Sequence, residues 1–306
     1  MALRALVVGA AAGGGLPQWN CNGPNSSTFW NGDAPLTAAT QSSLAVSVNG
    51  SDWALLNASP DIRSQILARP QLQPRAGYPL RDTPIRSVLL TNGDIDHIAG
   101  LLTLREKQAY DLFATASITQ VLAENPIFNA LDPAFVTRHV IELEAGFDLL
   151  PGLSAKLFAV PGKVPLFMEG EHGGDGVQTD LMGEHTVGVE ISDGSRTIFY
   201  VPGCARMVPA LADRLRGAEL VLFDGTLWAD NEMISQGVGQ KTGARMGHMS
   251  ISGPDGSLAA FADLDVRRKV YVHLNNTNPV WRNGPERAEA EAAGWRIAHD
   301  GMEIEL

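Results

Sequence analysis

Three stretches of this chain close an apolar run on a side chain able to grip a metal ion. In Leu89–Gly100 (LLTNGDIDHIAG) the run stops at Thr91, and a loop then gathers Asp94, Asp96 and His97 ahead of a helix. In Leu220–Trp228 (LVLFDGTLW) Asp224 ends a strongly apolar segment, and Gly225 permits a sharp turn. In Lys269–Pro279 (KVYVHLNNTNP) His273 ends a third run and opens an Asn-rich loop. Carboxylate and imidazole at the ends of buried strands form a donor set for a transition metal. Each residue alone has a plainer use: Asp96 or Asp224 as a helix or turn cap, His273 as a buried ring bonded to protein. Three separate strand ends bearing ligand-type residues make one shared site the stronger reading.

The elements that must carry these ends are strands and helices in alternating clusters. Strands are expected at 3–9, 43–48, 53–57, 85–91, 137–143, 153–160, 186–192, 197–201, 220–223 and 269–274, with one or two more in 296–306. Helices are expected at 60–67, 101–111, 117–124, 208–216, 255–262 and 286–294. Gln18 to Gln41 is a polar stretch too long for a routine connection, so it is functional or packed under its own motif. Early strand pairs ahead of the first long helix fit a doubly wound sheet poorly. They fit an αββα sandwich, two mixed sheets flanked by helices, in a single domain over residues 1–306. Gly13-Gly14-Gly15 lacks the Lys-Ser/Thr of a phosphate loop and reads as a tight turn near the site.

Bulk properties narrow the partners. The 306 residues carry 34 acidic and 23 basic side chains, a formal charge of -11. Such a surface repels phosphate backbones and anionic lipid, so neither nucleic acid nor a membrane is an expected partner. No apolar run approaches the roughly 20 residues that span a bilayer. Cys21 and Cys204 are too few for a disulfide framework and fit a reducing, cytoplasmic setting. The stretch from Leu3 to Ala12 reads as a buried first strand rather than an export leader.

Longer motifs carry a resemblance. Asn92-Gly93-Asp94-Ile95-Asp96-His97 is similar to the His-x-His-x-Asp-His motif of the metallo-β-lactamase fold, with Asn92 and Asp94 in place of its first two histidines. GAAAGGGLPQWNCN (9–22), TQSSLAVS (40–47), NASPDIRSQ (57–65), DHIAGLLTLRE (96–106), DGTLWADNEM (224–233), TGARMGHMS (242–250), VHLNNTNP (272–279) and DGMEIEL (300–306) resemble the pyrroloquinoline quinone (PQQ) biosynthesis protein B family. The similarity runs from end to end.

The resemblance implies an iron-dependent hydroxylase. Its substrate would be the tyrosine ring of a peptide-derived Glu-Tyr precursor of PQQ, with O2 as co-substrate and other PQQ biosynthesis proteins as potential partners. Ordinary members of the fold bind two zinc ions. Here half of that site is degraded: Gly203-Cys204 stands where a bridging Asp is usual if Phe199–Gly203 is the preceding strand. Asp96, His97 and His273 remain. Two histidines and one carboxylate are the donor set of non-haem Fe(II) oxygenases, although zinc fits the same ligands.

Within this reading His248 is a proton-transfer or substrate-binding group, with a hydrogen-bonded loop histidine as its plainer use. Asp224 is a fourth ligand or orients a ligand. Asp94 and His185 are further candidate ligands. Asn275 and Asn276 either contact substrate or simply form a turn. His172 belongs to a Gly- and acid-rich lid, EGEHGGDG, while His139 and His299 carry no motif. Family members often carry Cys-x-Cys-x-x-Cys after the tryptophan, a structural zinc site. Cys21, Gly23 and Ser26 stand there in this chain, so no structural zinc is expected and polar hydrogen bonds must hold the loop. Two other functions stay open: metal-dependent hydrolysis, and a soluble carrier that aids transport of PQQ or its precursor to the periplasm.

Overall fold

The computed structural model describes residues 2–33, 36–168 and 179–306. His172 and its glycine-rich neighbours lie outside them. The strands, in chain order, are β1 (Arg4–Gly9), β2 (Ser43–Ser47), β3 (Trp53–Leu56), β4 (Ile85–Leu89), β5 (Tyr110–Ala114), β6 (Val136–Val140) and β7 (Gly146–Leu150). They continue as β8 (Leu153–Ala159), β9 (Val187–Ser192), β10 (Thr197–Val201), β11 (Leu220–Asp224), β12 (Arg268–Val272), β13 (Trp295–Ile297) and β14 (Glu303–Glu305). One sheet runs β14-β1-β2-β3-β4-β5-β6 and the other β13-β12-β11-β10-β9-β8-β7.

Alternation within each strand builds the layers. Ala5 and Val7 of β1 join a central core with Leu44, Leu56 and Leu89 of the same sheet and Leu157, Val189, Leu222 and Val270 of the other. The intervening Leu6 and Val8 turn outward and pack with Ile62, Leu101 and Ile118, which lie in or beside helical segments. Val221 and Phe223 of β11 do the same on the far side, against Leu211, Leu215 and Phe261. Strands buried on both faces must be apolar almost throughout, which is why these runs read as continuous. The result is the αββα sandwich of the metallo-β-lactamase fold.

Strands β3 to β6 pair in parallel, as do β10 to β13. Parallel strands present their carboxyl ends together, and side chains just beyond those ends can converge. The apolar runs of β4, β11 and β12 therefore deliver Asp96 and His97, Asp224, and His273 toward one place.

Some local expectations fail. Residues 101–111 are not a helix: a short 3-10 turn, Ala99–Leu102, is followed by turns through Lys107, whose φ is 57°. Tyr110 instead opens β5, where Tyr110, Leu112 and Ala114 face the helical layer and Phe113 faces the central core. An inserted strand between β4 and β6 outweighs helix propensity here. The polar 18–41 stretch contains a helix at Pro24–Asn31, started by Pro24 and closed by Gly32 in the left-handed conformation. Strand β7 also went unread in the sequence; it forms a hairpin with β8.

Candidate metal centre

Asp96 and His97 lie in a one-turn helix, Ile95–Ile98, beyond the end of β4. The neighbouring 57–59 loop fixes that turn: the Ala58 N–H donates to the His97 carbonyl at 2.8 Å, and the Gly100 N–H to the Ala58 carbonyl at 2.8 Å. Asn57 locks the preceding residue, accepting the Thr91 N–H at 2.9 Å. From the other sheet comes His273, the residue after β12, with φ at 57°. A non-glycine residue in that region is strained and needs its surroundings to hold it. Leu274 supplies the hold, clamped between Ala10 (N–H to carbonyl, 3.0 Å) and Ala12 (2.8 Å) of the N-terminal segment. The glycine turn that follows brings Gly13 against the Asp96 carboxylate.

The donors of Asp96, His97 and His273 all lie within 4.8 Å of one another. Asp96 Oδ2 is 3.1 Å from His273 Nε2 and 3.9 Å from His97 Nε2. Hydrogen bonds on the far side of each ring assign the tautomers. His97 Nδ1 lies 2.6 Å from Asn92 Oδ1, an acceptor, so Nδ1 carries the proton and Nε2 presents a lone pair. That Nε2 is buried and has no hydrogen-bond partner among the described residues. His273 Nδ1 lies 2.8 Å from Thr226 Oγ1. Thr226 has one proton to give, and Asp224 Oδ1 at 2.7 Å and the His273 carbonyl at 3.0 Å are its acceptors. Its oxygen therefore accepts from His273 Nδ1, turning His273 Nε2 toward Asp96.

Two imidazole lone pairs and a carboxylate thus face one another. That arrangement is repulsive without a cation and is the first shell a metal requires. Burial pulls the His97 ring down to about 4, so it is neutral near pH 7, as a ligand must be. Burial alone would raise Asp96, but His97 and His273 outweigh it and hold the carboxyl well below the usual carboxylate range. Burial likewise opposes a charged His273, yet its hydrogen bond to Asp96 and that charge raise its pKa overall.

A second group, Asp224, His248 and His273, shares the last residue. Asp224 is fully buried, and both its oxygens are committed. Oδ1 accepts from Thr226 N–H and Oγ1, while Oδ2 accepts the Cys204 N–H at 2.9 Å and His248 Nδ1 at 2.7 Å. Burial would raise Asp224, but His248 beside it brings the pKa below the ordinary value. Four donors satisfy a carboxylate, so hydrogen bonding accounts for the closeness of this group. The His248 ring stacks on His273 with centroids 5.1 Å apart, and among the described residues only its Nδ1 has hydrogen-bond partners. Gly203 lies alongside that ring.

The remaining candidates sit around this core. Asp94 Oδ2 accepts from Asn92 Nδ2 at 3.2 Å, and its Oδ1 is 3.9 Å from Lys163 Nζ. Among the described residues His185 belongs to neither group, and its buried Nδ1 has no partner. Asn275 donates to Thr277 Oγ1 at 2.6 Å, and the Asn276 amide donates to Gln18, so both amides are taken up by protein. His139 pairs with Asp111 at 2.8 Å far along the sheet, and His299 is exposed. In the N-terminal loop the Cys21 sulfur accepts the Gly23 N–H at 3.3 Å, and the Ser26 hydroxyl is buried. Sequence reasoning missed Thr226 and the role of Asn92. The only signal for Thr226 was its place in DGT, directly after a buried Asp.

Comparison with known proteins shows the family and the fold. The model of the beta-lactamase superfamily domain matches residues 52–274, which include every ligand candidate above. The coenzyme PQQ synthesis protein B of Rhizobium meliloti is 55% identical over 99% of this chain and 98% of its own length. That of Ruegeria pomeroyi is 58% identical over 99% of this chain and its full length. The crystal structure of Zn(2+)-bound PqqB from Methylobacterium extorquens superposes with a TM-score of 0.95 at 49% identity, covering 99% of this chain and 100% of that one. A diphosphatase of the PhnP family shares the fold at a TM-score of 0.69 and 20% identity, over 100% of this chain and 98% of that one. The chain belongs to the coenzyme PQQ synthesis protein B family, within the β-lactamase superfamily.

Proposed function

We propose that this chain serves coenzyme PQQ synthesis as a mononuclear Fe(II)- and O2-dependent hydroxylase in the cytoplasm. Its substrate is a small peptide- or amino-acid-derived Glu-Tyr precursor, oxidised on the tyrosine ring. The observation that carries this reading is the buried, unpartnered Nε2 of His97, facing Asp96 and His273. When bound, Fe(II) supplies the redox chemistry that makes O2 reactive toward an aromatic ring.

The chain's own groups do the rest. Asp96, His97 and His273 would hold the ion. Asn92 and Thr226 fix the two imidazoles in the ligating tautomer. His248, oriented by Asp224, takes a proton from the substrate at Nε2. The degraded half, with Asn92 and Asp94 in place of two histidines, supports one metal rather than a hydrolytic pair.

Anaerobic loading with Fe(II), then addition of O2, a Glu-Tyr peptide and ascorbate as the two-electron donor that reduces the second oxygen atom to water, tests the proposal by mass analysis. A gain of oxygen on the tyrosine is expected. Iron-loaded protein that neither consumes O2 nor adds oxygen overturns it. Asp96→Ala and His273→Ala should abolish metal retention with the far-UV circular dichroism unchanged.

The zinc bound by the Methylobacterium extorquens relative supports a second reading, zinc-dependent hydrolysis at the same residues. Turnover of an ester or phosphodiester by zinc-loaded protein without O2 would select it.

A further inference from the structure

A cleft of about 590 Å3 lies behind the Asn-rich loop that follows His273 and shares no lining residue with the candidate metal centre. Its lining includes the apolar side chains of Ala39, Trp281, Ile297 and Ala298. The Trp281 ring is held in place by its Nε1–H bond to the Asn275 carbonyl at 2.8 Å. Arg282, Arg287 and His299 also line it. Two guanidiniums lining one cleft stand out in a chain of formal charge -11.

Arg282 is pre-oriented. Its Nε donates to Asn25 Oδ1 at 2.6 Å, and Asn25 is itself buried, its amide donating to the carbonyls of Asn276 (2.7 Å) and Asn278 (2.9 Å). Among the described residues the two Nη groups of Arg282 make no hydrogen bond or ion pair. A guanidinium pinned at Nε keeps a parallel pair of N–H donors in the geometry that matches a carboxylate. The acid in the cleft does not oppose this. Both oxygens of Asp300 face inward, accepting from Ala10 N–H, Thr40 N–H and Thr40 Oγ1 at 2.6 to 2.9 Å. Arg287 keeps its Nη groups while its Nε pairs with Glu291 at 2.8 Å on the helix surface.

We infer that this cleft binds a small organic carboxylate, with the acid group on the Arg282 fork beside Arg287 and the apolar body against Trp281 and Ile297. The size suits a ligand of that class, since small-molecule sites run from about 300 to 1,000 Å3. The inference is independent of the reaction at the metal centre.

Calorimetric titration of the full chain with benzoate, and with its neutral counterpart benzamide, tests it at low ionic strength. The titrations are run with and without Zn(II), because a carboxylate sitting on the metal needs the metal. Benzoate should bind both forms equally and about tenfold more tightly than benzamide, the discrimination expected of a charge-assisted fork. Arg282→Lys, which keeps the charge and loses the fork, should weaken benzoate by about tenfold. Arg287→Gln should weaken it by a few-fold and decides the matter if the Arg282 variant does not fold. The inference falls if benzoate fails to bind, needs the metal, binds no better than benzamide, or is indifferent to Arg287→Gln.

Discussion

Thr226 Oγ1 lies 2.8 Å from Nδ1 of His273, and this contact sets which nitrogen of the ring faces Asp96. The same hydroxyl is 2.7 Å from Asp224 Oδ1 and 3.1 Å from His248 Nδ1. One small side chain outside any ligand motif therefore links the two candidate groups. Thr226→Val keeps the shape and removes the hydroxyl. Metal affinity, read by competition with a chromophoric chelator, should fall by about 10- to 100-fold. Stability to urea should drop by about 1–3 kcal/mol, because buried Asp224 loses a donor. Thr226→Ser should restore both. A valine variant that binds metal as tightly as the parent would remove Thr226 from the orienting role.

Asn92 performs the equivalent task for His97. It stands where the metallo-β-lactamase motif has a histidine, and its Oδ1 accepts from His97 Nδ1 at 2.6 Å. Asn92→Ala frees the ring to take the wrong tautomer, so metal affinity should fall by about tenfold or more with the fold retained. Equal affinity in the same competition assay would show that His97 needs no such anchor.

The parts of this site legible in the sequence are those carried by burial. Strands β4, β11 and β12 each end in an apolar run, so the polar residues at or after those ends, Asp96, His97, Asp224 and His273, stood out by contrast. The supporting contacts did not. The Cys204 N–H that binds Asp224 is a backbone group with no side-chain signature. Asn275 and Asn276 illustrate a different limit, since an Asn-rich loop reads alike whether its amides grip a substrate or, as here, Thr277 and Gln18. Strand β5 was misread because its helix-compatible residues follow a genuine helical turn, and only pairing with β4 and β6 decides the outcome.

Gly100 supports the centre from below. A Cβ built there would lie 2.2 Å from the Ser59 carbonyl oxygen and 2.7 Å from the Ala58 carbonyl, so backbone must move. That backbone is the 57–59 loop, which also binds the His97 carbonyl. Gly100→Ala should cost about 1–3 kcal/mol by urea unfolding and weaken metal binding as well. Gly13→Ala is the control, because its Cβ would meet Asp96 at 3.5 Å, an ordinary contact. Similar losses from both variants would mean that the close approach at Gly100 is not what matters.

Glu232 gives the fold a pH dependence of its own. It is 5% exposed, accepts the Trp228 N–H at 2.7 Å, and receives a hydrogen bond from the Thr277 hydroxyl. Burial pushes its pKa from an ordinary 4.5 up to about 7 despite those bonds. The native state therefore holds a proton that the unfolded chain has released between those two values. Stability contributed at this position falls as pH rises through that window and levels off above pH 7 or so. At about 1.4 kcal/mol per unit, the loss is on the order of 3 kcal/mol. Glu232→Gln does not titrate and can make both bonds, its carbonyl facing Trp228 and its amide facing Thr277. Urea unfolding at pH 5 and pH 8 should find the parent losing about that much relative to the glutamine variant, while other ionisations cancel in the difference. A difference between the two proteins that stays constant with pH would mean Glu232 is ionised throughout, with its two donors sufficient to offset burial.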